Sequence, residues 1–99
     1  MLVAQGNLPE ALQSYRARHD IAERLAKSDP GNADWQRDLA VSHAKLGTTS
    51  LQAGKTADAR AALNAGRQIV VQLLAQHPDH PQWKQDLGTF DRVLAILDR

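Results

Sequence analysis

The chain has 99 residues, of which 42% are hydrophobic and only 4% aromatic, with 12 basic and 11 acidic side chains, a net charge of +1 and no cysteine. A chain this short forms one domain with a thin core, burying about 60 to 65 per cent of the surface it exposes unfolded. Without cysteine there are no disulfides, thiolate nucleophiles or thiolate metal sites. The balanced charge offers no basic stripe to nucleic acid or anionic lipid.

The apolar content is mostly Ala, Leu, Val and Ile, which suits closely packed helices. Three punctuation points divide it: DPGN at 29–32, AGKT at 53–56 and HPDHP at 77–81. The first predicted helix runs over 8–28, with Leu8, Ala11, Leu12, Tyr15, Ala22, Leu25 and Ala26 on one face and Asn7 and Glu10 as a capping box. The second runs over 33–52, with Asn32 as N-cap and a stripe of Trp35, Leu39, His43, Leu46 and Ser50. The third runs over 57–76 behind Thr56 as cap, with Ala59, Ala62, Leu63, Gly66, Ile69, Val70 and Leu73 facing inward. The fourth runs over 81–98, with Pro81 in its first turn and a stripe of Trp83, Leu87, Phe90, Leu94 and Leu97. Connections this short make neighbouring helices antiparallel, so the fold class is all-α in a single domain spanning 1–99.

The phrase PGNADWQRDLA at 30–40 returns as PDHPQWKQDLG at 78–88, an offset of 48. Setting 1–51 against 49–99 gives ten identities, among them Gly6 with Gly54, Ala11 with Ala59, Ile21 with Ile69, Leu25 with Leu73 and Trp35 with Trp83. Background composition would give about three. The chain is an internal repeat of helix pairs, and Trp35 and Trp83 are expected to wedge between units in equivalent surroundings.

These residues resemble the tetratricopeptide repeat (TPR) family, whose units read W-x2-LG-x2-Y, then A-x3-F, then P. Leu46-Gly47 stands for the Leu-Gly pair, Gly54 for the turn glycine, Ala59 for the small residue at the helix crossing, Leu63 for the aromatic after it, and Pro78 for the closing proline. In the other copy Gly6, Ala11, Tyr15 and Pro30 match, with Leu94-Ala95 in place of Leu-Gly. The departures are His43 and Asp91 at the Trp position, Ser50 at the Tyr position, and a period of 48 where the family has about 34. This wording is similar to long-helix variants in bacterial multidomain proteins.

The resemblance implies a TPR-like superhelix that is not an enzyme, has no cofactor, and acts as a cytoplasmic protein–protein interaction scaffold. It further implies that the chain is a fragment of a larger bacterial repeat protein. The alternative reading is a homo-oligomerisation module, since LVAQG at 2–6 echoes the helix-ending SLQAG at 50–54 and the end helices expose surfaces that ordinarily stack on neighbours. In the family the first helix of each unit lines a concave groove for a protein or peptide partner. Carried over by match, that face is Val41, Ala44, Lys45, Thr48 and Gln52, with Thr89, Arg92, Val93 and Ile96. Members that clamp a terminal carboxylate use Lys and Asn where Ala44 and Thr48 stand, so an apolar or mixed partner is expected.

The residues that could carry chemistry have plainer readings. His77, Asp79 and His80 have ligand chemistry, but their counterpart DPGN has no His and the two prolines make a loop, so no metal is expected. His43 is expected as a hydrogen-bonded packing residue and His19 as a solvated one. Asp38 and Asp86 lie one repeat apart and are expected to be solvated or paired with Arg, not set up as acid and base. AGKT has Thr49 where a phosphate loop needs its first Gly. No catalytic residue is expected. No apolar run approaches about 18 residues, so no membrane span is expected, and MLVAQG lacks the features of a signal peptide.

Overall fold

Helix α1 spans Leu8–Ser28, α2 Ala33–Gln52, α3 Thr56–Gln76 and α4 Pro81–Leu97 in the computed structural model, which describes residues 8–98. No strand occurs among the described residues, and the all-α expectation holds with boundaries within one residue of those read from the sequence. The capping box that uses Asn7 and the echo at 2–6 lie outside the described residues.

The helix starts show how local chemistry sets the boundaries. Asn32 Oδ1 accepts from the Trp35 amide at 3.0 Å, capping α2 as its sequence position requires. Pro81 opens α4, and there His80 takes the capping place, its Nδ1 accepting from the Trp83 amide at 3.3 Å. Thr56 is not the cap of α3. The chain leaves α2 through Gly54 at φ 79°, with the Gly54 amide bonded to Leu51 O and the Lys55 amide to Ser50 O, a Schellman ending. That turn uses up Lys55, so Lys55 itself becomes the N-cap and makes no side-chain bond, while Thr56 is already helical.

The repeat is written into the backbone. Four hydrogen bonds in the turn before α2 recur 48 residues later before α4: Asp29 N to Leu25 O and His77 N to Leu73 O, Asn32 N to Asp29 O and His80 N to His77 O, Gln36 N to Asn32 O and Lys84 N to His80 O, and the two caps onto Trp35 N and Trp83 N. The side chains around the two indoles nevertheless differ. Trp83 is 6% exposed, with the His80 ring stacked on it at 3.8 Å and His77 against its edge, whereas Trp35 is only half-buried. The expected equivalence of surroundings fails because Asp29 and Asn32, the counterparts of His77 and His80, have no ring to lay on the indole.

Successive helices run antiparallel. Gln36 bonds to Ala26 O while His19 meets Ser42, Gly47 faces Ala59 and Leu63 while Gly66 faces Ala40, and Arg60 reaches Leu97 O while Arg67 pairs with Asp91. The core joins Ala40, Leu63, Val70, Leu73, Trp83 and Phe90 from α2, α3 and α4. Two glycines set its spacing. A Cβ on Gly47 would lie 2.7 Å from Leu63 Cγ, and one on Gly66 would lie 2.6 Å from Phe90 Cζ and 3.1 Å from Ala40 O. Side chains there would push α2 and α4 off α3. On α1 the predicted stripe holds at Leu12 and Ala26, which are buried, but Leu25 is 40% exposed, as is its neighbour Ile21 at 55%. Their counterparts Leu73 and Ile69 are covered because the start of α2 lies over them. Among the described residues no helix lies over that side of α1.

Candidate functional site

Because α3 lies between them and successive helices are antiparallel, α2 and α4 run in the same direction, and a hollow of about 260 Å3 opens between them. One wall is Val41, Ala44, Lys45 and Thr48, a three- and four-residue stripe of α2. The other is Asp86, Thr89, Phe90 and Val93, the same spacing on α4. Ala40 and Leu63 form the floor with the buried Phe90, whose ring comes this close to α3 because Gly66 has no side chain.

At one end Arg37 crosses from α2 to α4. Its Nε donates to Asp86 Oδ2 at 2.9 Å and its Nη2 to Asp86 Oδ1 at 3.3 Å. This hydrogen bonding, followed by the attraction of the carboxylate, holds the Arg37 guanidinium above its ordinary pKa against the cost of burial. Gln82 donates a further bond to Asp86 Oδ1 at 3.2 Å. Asp86 is therefore a brace across the mouth of the groove, as the expected Arg pairing requires, and Asp38 is exposed. Lys45, the other charged lining residue, is exposed on the rim.

Of the nine candidate residues, Val41, Ala44, Lys45, Thr48, Thr89 and Val93 come together on this groove. Gln52 lies beyond it at the end of α2, and Arg92 and Ile96 turn outward on α4, Ile96 being 55% exposed. The α4 wall of this hollow, at 86, 89, 90 and 93, lies three residues before the face carried over by match, at 89, 92, 93 and 96. A groove between successive like-facing helices uses the leading flank of one and the trailing flank of the next, so the two walls cannot use equivalent positions. Ala40, Leu63, Asp86 and Phe90 were missed as lining residues. The spacing 86, 89, 90, 93 signals them once two flanks are allowed for.

A second hollow of about 380 Å3 lies between α1 and α2, lined by Tyr15, Arg18, Ala22, Asp38, Val41, Ser42 and Lys45.

Among the histidines, His19 parts from its sequence reading. His19 is half-buried, its Nδ1 lying 2.8 Å from Ser42 Oγ, and its ring meets His43 edge-on at 4.4 Å. It is not solvated, because it sits at the α1–α2 crossing, where 19 and 43 are the counterparts of the ion-paired Arg67 and Asp91. His43 packs against His19. Burial first, and then the charge of His19, push its pKa down to about 4 in spite of Glu23. His77 and His80 serve the Trp83 indole, and the described residues contain no group of three or more His, Cys, Asp or Glu that could hold a metal ion. No helix among them is long and apolar enough to cross a membrane.

The chain matches no protein-family model, no curated protein and no solved structure.

Proposed function

We propose that this chain is a non-enzymatic, TPR-like protein-interaction scaffold, and that the hollow between α2 and α4 takes an apolar or mixed segment of a protein partner. The observation that carries this reading is the groove itself. Its lining is mostly apolar, from Ala40, Val41, Ala44, Leu63, Phe90 and Val93, and its two charges sit at the edges, Asp86 held by Arg37 and Lys45 on the rim. Such a surface can bury alternate apolar side chains of a helix or extended peptide but has no free acid and base facing each other. The resemblance adds that the chain belongs to a larger cytoplasmic repeat protein of bacterial type.

A peptide-display selection on the purified chain tests this. Enriched peptides should share large apolar residues and bind the wild type. They should lose about tenfold or more in affinity, about 1.4 kcal/mol, on Thr48→Trp or Thr89→Trp, which fill the groove from exposed positions. Gln68→Trp, exposed on α3, should leave binding unchanged. Enrichment of no peptide, or of peptides indifferent to both groove substitutions, refutes the reading.

A further inference from the structure

The polar groups around the α2–α4 groove are committed within the protein, except for its cations. Thr48 Oγ1 donates to Ala44 O at 3.1 Å and Thr89 Oγ1 to Gln85 O at 3.1 Å, each back onto its own helix, so neither hydroxyl has a proton left for a ligand. Asp86 accepts from Arg37 Nε and Nη2 and from Gln82 Nε2, at 2.9, 3.3 and 3.2 Å. Its charge is balanced and three of its acceptor sites are filled.

Lys45 and Arg92 differ. Both are exposed, and neither forms an ion pair among the described residues. Lys45 lines the α2 wall. Arg92 leaves α4 facing outward, but its Nη2 reaches back to Thr89 Oγ1, on the opposite wall, at 3.4 Å. A cation with no acidic partner among the described residues thus stands at each rim. Asp38 precedes Lys45 by two helical turns, about 10 Å of rise, too far for a direct pair.

The placing of Lys45 also sets a spacing. Ala40 on the floor and Val41 on the wall precede it along α2 by about 6–8 Å of helix rise. In a ligand that distance is about one turn of helix, or about two residues of extended chain. The hollow itself, about 260 Å3, lies below the range of about 300–1,000 Å3 usual for small-molecule sites, so it suits side chains of a peptide.

We propose that the segment taken by the α2–α4 groove is acidic as well as apolar: a large apolar side chain enters over Leu63 and Phe90, and an Asp or Glu one helical turn or two extended residues away pairs with Lys45. This rests on the groove being the docking site. A basic segment would meet the same two cations and find Asp86 already held by Arg37. The pair forms on an exposed rim, so it governs which segment binds more than how tightly.

Peptide-display selections run in parallel on the 99-residue chain and on its Lys45→Glu variant test this. Lys45 is exposed, so the helical circular dichroism of the variant should be unchanged. Peptides enriched on the wild type should carry Asp or Glu at the stated spacing from a large apolar residue, and those enriched on Lys45→Glu should carry Lys or Arg there. A wild-type peptide should lose about fivefold or more in affinity for Lys45→Glu at low salt, since an attraction becomes a repulsion, and recover when its acid is replaced by Lys. The loss should shrink in about 1 M salt, where charges are screened beyond about 3 Å. Peptides that Thr48→Trp blocks but that show no acidic preference, or that bind Lys45→Glu as well as the wild type, overturn this inference and leave the apolar groove standing. Selection of no peptide, or of acidic peptides indifferent to Thr48→Trp and Thr89→Trp, overturns the groove reading and this inference with it.

Discussion

The same substitution, glycine to alanine inside a helix, should have opposite signs at two positions of this protein. At Gly66 the added methyl would stand 2.6 Å from Phe90 Cζ, 2.7 Å from Phe90 Cε1 and 3.1 Å from Ala40 O. The first two contacts press on a ring that is 5% exposed and closes the core, and the third on the backbone of α2. Overpacking of this kind costs about 1–3 kcal/mol, and removing glycine from a helix interior returns about 1 kcal/mol. Contacts this far below 3 Å put the overpacking at the upper end, about 2–3 kcal/mol, so Gly66→Ala should destabilise by about 1–2 kcal/mol net, lowering Tm by about 4–15 °C in a domain of this size. At Gly88 a Cβ meets nothing within 4 Å, so Gly88→Ala should stabilise by about 0.5–1 kcal/mol.

Thermal and urea melts followed by circular dichroism read both values. A third variant isolates the cause. In the background Phe90→Leu, which withdraws the ring, Gly66→Ala should become neutral or stabilising, giving a coupling of about 1–2 kcal/mol between the two positions. If Gly66→Ala is as stable as the wild type, or if its penalty persists in Phe90→Leu, the close approach of α4 to α3 is not what this glycine provides.

Three further expectations follow from the packing and the charges. His43 titrates near 4 in the folded chain and near 6.5 unfolded, so below 6.5 the unfolded state takes up the proton first and stability falls as pH drops from 6.5 to 4. The full gap amounts to about 3 kcal/mol, which solvent screening of a half-buried ring reduces to about 1–2 kcal/mol. Urea midpoints of wild type and His43→Gln at pH 7 and pH 4.5 should converge as pH falls, and parallel pH profiles would refute the assignment. Trp83→Ala should cost about 3–5 kcal/mol and Trp35→Ala about half as much, because only the first indole is buried and stacked; equal losses in denaturant midpoint would contradict the difference between the two turns. Asp86→Asn should cost about 1 kcal/mol, since the Arg37 and Asp86 side chains keep 34% and 17% of their exposure, and the loss should shrink in high salt.

What the sequence makes legible is whatever the chain decides locally. DPGN, AGKT and HPDHP are legible as turns: the left-handed backbone at position 54 calls for glycine, and Pro81 fits the first turn of α4, where its missing N–H costs nothing. Gly47 and Gly66 mark the close helix crossings because a Cβ there would come within 3 Å of Leu63 and Phe90. What it hides is which neighbour covers a given face. Leu25 and Leu73 sit at the same repeat position and read identically, yet one is 40% exposed and the other 6%, because α2 lies on only one of them. His19 reads as a polar residue on an amphipathic helix, and only the approach of α2 turns it into half of a histidine contact.

The three-residue shift of the α4 wall has the same origin. A helix in a stack of like pairs has a trailing flank toward the unit behind and a leading flank toward the unit ahead. In α2 both flanks are occupied: 38, 41, 42 and 45 face the hollow beside α1, and 41, 44, 45 and 48 face the groove beside α4. In α4, among the described residues, only the trailing flank at 86, 89, 90 and 93 faces another helix across a groove. The residues that matching by repeat assigned to the groove on α4, Arg92 and Ile96, belong to its leading flank. Their exposure, and that of Ile21 and Leu25, marks faces that no helix covers among the described residues, which is why repeat position alone could not tell a covered flank from an open one.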